Sequence, residues 1–175
     1  MNRLATEKRA QVVAALVEGN SIRVTVRMAG VAKNTVVKLL MDLGTVCSIY
    51  QDRVMRDLPC ERVQADEIWS FVGMKQKNVT VERRGEPGIG DVWTWIAIDA
   101  DTKLVPTYHI GARDLQDAYA FIGDLAKRLR DRVQLTTDGQ RAYVYAVEDA
   151  FSGKIVYAQL VKLYGTDPKD EQRRY

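Results

Sequence analysis

Two aspartates stand where carboxylates are costly. Asp66 interrupts the β-forming run Val63-Gln64-Ala65-Asp66-Glu67-Ile68-Trp69-Ser70-Phe71-Val72, and Asp138 follows the short buried-type strand that begins at Val133. An ionised carboxylate inside a buried strand is unfavourable unless it is paired or binds a metal. If the two strands are neighbours, both side chains can face one cleft and hold Mg²⁺, with Mn²⁺ as a substitute, through oxygen. Two such ions about 4 Å apart activate the attacking oxygen and stabilise the leaving one in phosphodiester displacement. On the residues alone a plainer reading stands beside this one. Asp66 can be a solvent-facing strand acid with Glu67 on the opposite face, and Asp138 a turn former in Thr137-Asp138-Gly139. Asp99 and Asp101 read as an ordinary hairpin turn and are not candidates.

Other chemistry is poorly supplied. Cys47, Cys60 and His109 are the only cysteine and histidine residues. Three are too few for a structural zinc site, and two cysteines make no disulfide framework. His109 lies in an alternating stretch, 105–110, and reads as a strand histidine with a structural or surface role rather than as a triad member.

The elements that must position the aspartates follow from periodicity. Alternating or continuous apolar residues predict strands over 63–72, 92–98 and 104–110, an antiparallel meander. Asp114 can cap a helix with Ala118, Phe121, Ile122, Leu125 and Leu129 on one face. A strand over 133–137, a helix with Tyr143, Val144 and Val147 inward, and a strand over 154–161 complete the order βββαβαβ. That order predicts an α/β (α+β) fold, a mixed sheet with helices packed on it.

The first quarter differs in charge. Residues 1–44 hold seven Lys/Arg against Glu7, Glu18 and Asp42, a balance of +4. The remainder holds 19 basic and 20 acidic residues, so the net +3 is carried by the N-terminal segment. There, Ala10, Val13, Leu16 and Val17 sit at helical spacing, Ser21 can cap a short helix over 22–29, and Gly30 ends it. A third helix over 33–43 carries Val36, Val37, Leu40 and Leu43 on one face. Two short helices around a glycine-containing turn make a helix-turn-helix, whose second helix enters the major groove N-terminus first. Lys33, Asn34, Thr35 and Lys38 then reach DNA; Asn suits adenine and Lys suits guanine. A three-helix dimerisation bundle is the alternative. The expected division is 1–44 as the DNA-binding unit, 45–62 as a linker with a short helical piece near 50–56, 63–164 as the body and 165–175 as a polar tail.

With 175 residues, 46% apolar and 28% charged, the chain is neither disordered nor collagen-like. No apolar run approaches the roughly 20 residues of a membrane span, and residues 1–9 lack a secretory signal's apolar block. The expected location is therefore cytoplasmic.

The strings Val63 to Gly73, Asp91 to Asp99 and Gln134 to Gly139 together resemble the DDE transposases of the insertion sequence one type. The resemblance extends over nearly the whole chain, and the first string is its most specific part. It implies a ribonuclease-H-like catalytic fold, with Asp66 as the first metal-binding aspartate and Asp138 as the second. It also implies a bacterial or archaeal, nucleoid-associated protein acting on double-stranded DNA, at element ends and target, as a homo-oligomer. Two departures stand out. A cysteine-paired zinc segment found ahead of the helix-turn-helix in some relatives is missing. The third carboxylate, a glutamate on a C-terminal helix, has no match: Glu171 lies 33 positions after Asp138, but its polar setting gives no face to dock a helix. By resemblance the chain is C-terminally truncated and lacks its last helix.

The implied activity is metal-dependent strand cleavage and strand transfer, with Lys75, Lys77, Arg83 and Arg84 near the phosphates or merely solvated. The alternative is a truncated transposase that binds DNA as a binder or inhibitor without catalysis. A ribonuclease on RNA–DNA hybrids fits less well, given the helices that read DNA.

Overall fold

The computed structural model of the chain describes residues 4–130 and 132–161. They fall into two compact units, Met1–Val54 and Met55–Tyr175.

The first unit is three helices, α1 (Thr6–Val17), α2 (Ile22–Ala29) and α3 (Lys33–Val54). The Ser21 hydroxyl accepts from the Val24 N–H at 3.3 Å, satisfying one of the free donors at the start of α2. Gly30 ends α2 in the left-handed region at φ 62°, where a side chain would be strained. Val12, Ala29 and Val36 are buried at the centre, with Leu16, Ile22, Val26, Val31 and Leu39 packed around them. The buried residues of α1 are Val12 and Ala15; of the expected Ala10, Val13, Leu16 and Val17, Leu16 packs against the core and Val17 is exposed. Val12 supplies the bulk that fills the space between α2 and α3, whereas Ala10 would bury little surface.

The expected linker over 45–62 takes a different form. α3 runs on through Val54. Its interior has no proline, and the single Gly44 costs only about 1 kcal/mol of helix propensity. Beyond it, Leu58 donates to the Arg128 carbonyl at 2.9 Å and accepts from the Arg130 N–H at 3.0 Å. That stretch is tied into the second unit.

The second unit is built on five strands: β1 (Arg62–Val72), β2 (Gly90–Asp99), β3 (Tyr108–Gly111), β4 (Gln134–Asp138) and β5 (Val156–Leu160), with α4 (Leu115–Arg128) and α5 (Arg141–Phe151). The sheet order is β3-β2-β1-β4-β5. β1, β2 and β3 pair antiparallel, while β4 pairs parallel with both β1 and β5. This is the mixed sheet of a ribonuclease-H-like fold, and no helix follows β5 among the described residues. β3 is shorter than expected because Pro106 has no N–H to give a ladder. The Asp114 carboxylate accepts from the Asp117 N–H at 2.9 Å and starts α4 as its sequence predicts. In α5 the inward residues are Tyr143, Ala146 and Val147; Val144, expected inward, is exposed.

Both helices pack on one sheet face. Val63, Ala65, Trp95, Ala97 and Leu135 meet Phe121, Ile122, Leu125 and Tyr143 there, all with at most 4% exposure. Among the described residues of this unit no helix covers the other face, where Ile68, Ile110 and Leu160 are more than half exposed.

One ion pair is set into the helical layer. Arg128, almost fully buried, donates from Nε to Asp124 Oδ2 at 2.6 Å, and the Thr107 hydroxyl donates to the same carboxylate. Burial alone would raise the Asp124 carboxyl; the hydrogen bonds from Arg128 and Thr107 outweigh it and hold it below the usual carboxylate range. The unfolded chain then takes up a proton before the folded one does. Stability from this group is present above about pH 4 and lost on further acidification. Asp124→Asn should cost about 2 kcal/mol or more in urea unfolding at pH 7 and flatten the loss of stability below pH 4.

Candidate metal centre

The β1–β4 register ends with Ala65 beside Thr137. Asp66 and Asp138 are the next residues on each strand, so the parallel pairing sets the two carboxylates side by side. β4 stops at Asp138 while β1 continues to Val72. Both faces of β1 are thus reachable from beyond the end of β4. As a result Glu67, on the helix-bearing face, joins the pair despite pointing opposite to Asp66. Each of Asp66, Glu67 and Asp138 offers one oxygen, and these oxygens lie within 4.8 Å of one another.

The three acids differ in surroundings. Asp66 is exposed and accepts from the Glu67 N–H at 2.8 Å. Asp138 accepts from the Gln140 N–H at Oδ1, 3.0 Å, and from Arg113 Nη2 at Oδ2, 3.2 Å. Its backbone is fixed too: Gln159 Nε2 donates to the Asp138 carbonyl at 3.1 Å. Glu67 has a side chain only 1% exposed; Oε2 lies 3.3 Å from Arg113 Nη2, and the Tyr143 phenol faces the same carboxylate. Burial pushes the Glu67 carboxyl up, Asp138 adds to that, and Arg113 opposes it. The Tyr143 phenol, fully buried near Glu67, is pushed well above its ordinary range, by burial first and then by Glu67.

Three carboxylates converging within 4.8 Å make an all-oxygen donor set of the kind that suits a hard divalent cation. The two aspartates border a cleft of about 770 Å³ on the open sheet face, lined also by Gln64, Ile96, Ile98, Thr136 and Leu160.

Asp66 and Asp138 are the two acids that the sequence marks; the structure adds Glu67 and Arg113. The signal for Glu67 was present: it shares the phase of Val63 and Ala65, so its charge had to be buried and answered by a cation. Nothing local marked Arg113, which reaches the site from the β3–α4 corner. That corner is held by His109 Nε2 at 2.6 Å from Asp117 and by the Trp95 Nε1–H donating to the Ala112 carbonyl at 2.9 Å. His109 thus has a structural contact. Asp99 is buried, accepting from the Thr102 N–H and hydroxyl within its turn.

The four residues expected to read DNA lie in the first unit. Lys33 and Asn34 are exposed on the first turn of α3, Thr35 is half-buried, and Lys38 pairs with Asp42 at 3.2 Å. In the β1–β2 connection, Lys75 lies 5.0 Å over the Trp69 ring and Arg83 pairs with Glu86 at 2.9 Å, while Lys77 and Arg84 are exposed. Glu171 lies outside the described residues. Among the described residues no helix is long and apolar enough to cross a membrane.

No protein-family model matches the chain, and no curated protein does. Among solved structures it is similar to a chain in the crystal structure of the Mos1 strand transfer complex, at 16% identity and a TM-score of 0.36. The match covers 97% of this chain and 62% of that one, so the chain spans under two thirds of its length.

Proposed function

We propose that the chain is the DNA-binding and catalytic part of a DDE-type transposase of the insertion sequence one type, which cleaves and joins DNA strands with Mg²⁺ or Mn²⁺. The observation that carries the reading is the convergence of Asp66, Glu67 and Asp138 at the end of β4, on a ribonuclease-H-like sheet. In this reading Asp66 and Asp138 hold the ion, with Glu67 close enough to supply a third oxygen. A bound ion supplies Lewis acidity and lowers the pKa of water, which suits hydrolysis of a phosphodiester followed by attack of the freed 3′-hydroxyl on a second strand. The chain's own residues orient and neutralise: Gln140 and Gln159 fix Asp138, and Arg113 offsets charge on Asp138 and Glu67. The protein would act on double-stranded DNA as a homo-oligomer in the cytoplasm.

The first test is nicking of supercoiled DNA carrying the element's ends by the full chain, with Mg²⁺ or with EDTA. Metal-dependent nicking supports the reading. Tight binding of the same DNA with no metal-dependent nicking would favour the non-catalytic binder.

DNA contact by α3 has its own test. Lys33→Ala should weaken binding by similar factors on all sequences and lower the salt slope by about one unit. Asn34→Ala should cost about 1–3 kcal/mol on the preferred sequence and relax its discrimination. Fluorescence anisotropy across a salt series separates the two. Unchanged affinity in both variants would remove this face from the interface.

A further inference from the structure

Arg113 is held more firmly than a solvated arginine would be. Nη2 lies 3.3 Å from Glu67 Oε2 and 3.2 Å from Asp138 Oδ2, and Nε donates to Gln140 Oε1 at 3.2 Å. The guanidinium carbon sits 4.8 Å over the Trp93 ring, and its side chain is 29% exposed. One cation therefore bridges two of the three acids that converge on the site. Glu67, at 1% side-chain exposure, has no water to stabilise its charge in place of Arg113.

We propose that Arg113 is the site's resident counter-ion: it neutralises Glu67 and Asp138 in the metal-free chain and competes with a divalent cation for them. This inference rests on the metal-centre reading of the cluster. Three carboxylates without a cation would repel one another, and the deepest of them would be both buried and uncompensated. A planar fork, fixed by Gln140 and stacked on Trp93, meets that need at a cost to metal affinity, because the incoming ion meets a positive charge already in place. Arg113 is thus a positioning and charge-setting residue. Its removal should strengthen metal binding, the opposite of what the loss of a purely structural residue does.

The test is calorimetric titration of Mn²⁺ into the full chain, with thermal unfolding in EDTA and in Mn²⁺, for wild type, Arg113→Met and Arg113→Lys. Arg113→Met keeps the length and removes the charge. It should bind Mn²⁺ about tenfold more tightly, melt lower in EDTA and gain more from Mn²⁺ than wild type does. Arg113→Lys keeps the charge but not the fork or the stacking, and should bind Mn²⁺ with an affinity between those of wild type and Arg113→Met. An Arg113→Met chain that folds only with Mn²⁺ present supports the proposal equally; one that folds under neither condition overturns it. Wild-type binding with equal or weaker binding by Arg113→Met overturns the counter-ion role alone. No Mn²⁺ binding by any of the three overturns the metal-centre reading along with it.

Discussion

Asp138→Asn is expected to lower metal-dependent DNA cleavage by at least about 10³-fold, and Asp66→Asn to do the same. Both changes keep side-chain volume and remove one negative charge. The asparagine oxygen at 138 can still accept from the Gln140 N–H, and Arg113 keeps Glu67 as a partner. The fold should therefore survive, and so should DNA binding through α3, which gives an internal control. Each substitution removes a charged ligand from a cluster whose three oxygens lie within 4.8 Å. Each decade of rate corresponds to about 1.4 kcal/mol, so losing about 4 kcal/mol of Lewis-acid stabilisation gives the expected 10³-fold drop. Cleavage within tenfold of wild type in either variant would take that residue out of the mechanism.

The largest effect on stability is expected beneath the site. Trp95 is fully buried, lies opposite Glu67 in the β1–β2 register, and meets Tyr143 edge-on at 5.4 Å and Phe121 at 5.9 Å. Its Nε1–H also donates to the Ala112 carbonyl, one residue before Arg113. Trp95→Ala should cost about 3–5 kcal/mol, from lost apolar burial and a cavity too large to close. Trp95→Phe, which restores an aromatic ring but not the hydrogen bond, should cost less. Urea unfolding measures both. A loss below about 1 kcal/mol for Trp95→Ala would mean that the sheet and helical layer do not share one core.

How much was legible beforehand depended on whether the controlling interaction was local. The strands β1 and β2 and the inward face of α4 declare themselves by period, and Asp114 by its place ahead of an apolar helix. Their chemistry sits within a few residues. The α1 stripe did not, because Val12 or Val13 is chosen by what α2 and α3 present. The continuation of α3 past Leu43 was hidden for another reason: mixed charge and weak periodicity resemble a linker, although nothing in 45–54 breaks a helix. At the site, Asp66 and Asp138 stood out as charges in β-forming surroundings. Alternation puts Glu67 on the face opposite to Asp66, and it does lie there; what alternation does not show is that β4 stops while β1 runs on, which opens both faces of β1 to the site. Arg113 could not be read locally, since its partners are 46 residues upstream and 25 downstream.

The central claim is that Asp66 and Asp138 form one divalent-metal site. Its most direct measurement is Mn²⁺ binding to the full chain, followed by calorimetry, for wild type, Asp66→Asn and Asp138→Asn. The expected result is saturable binding by wild type that weakens at least about tenfold in each single variant. Binding that both substitutions leave unchanged would contradict it.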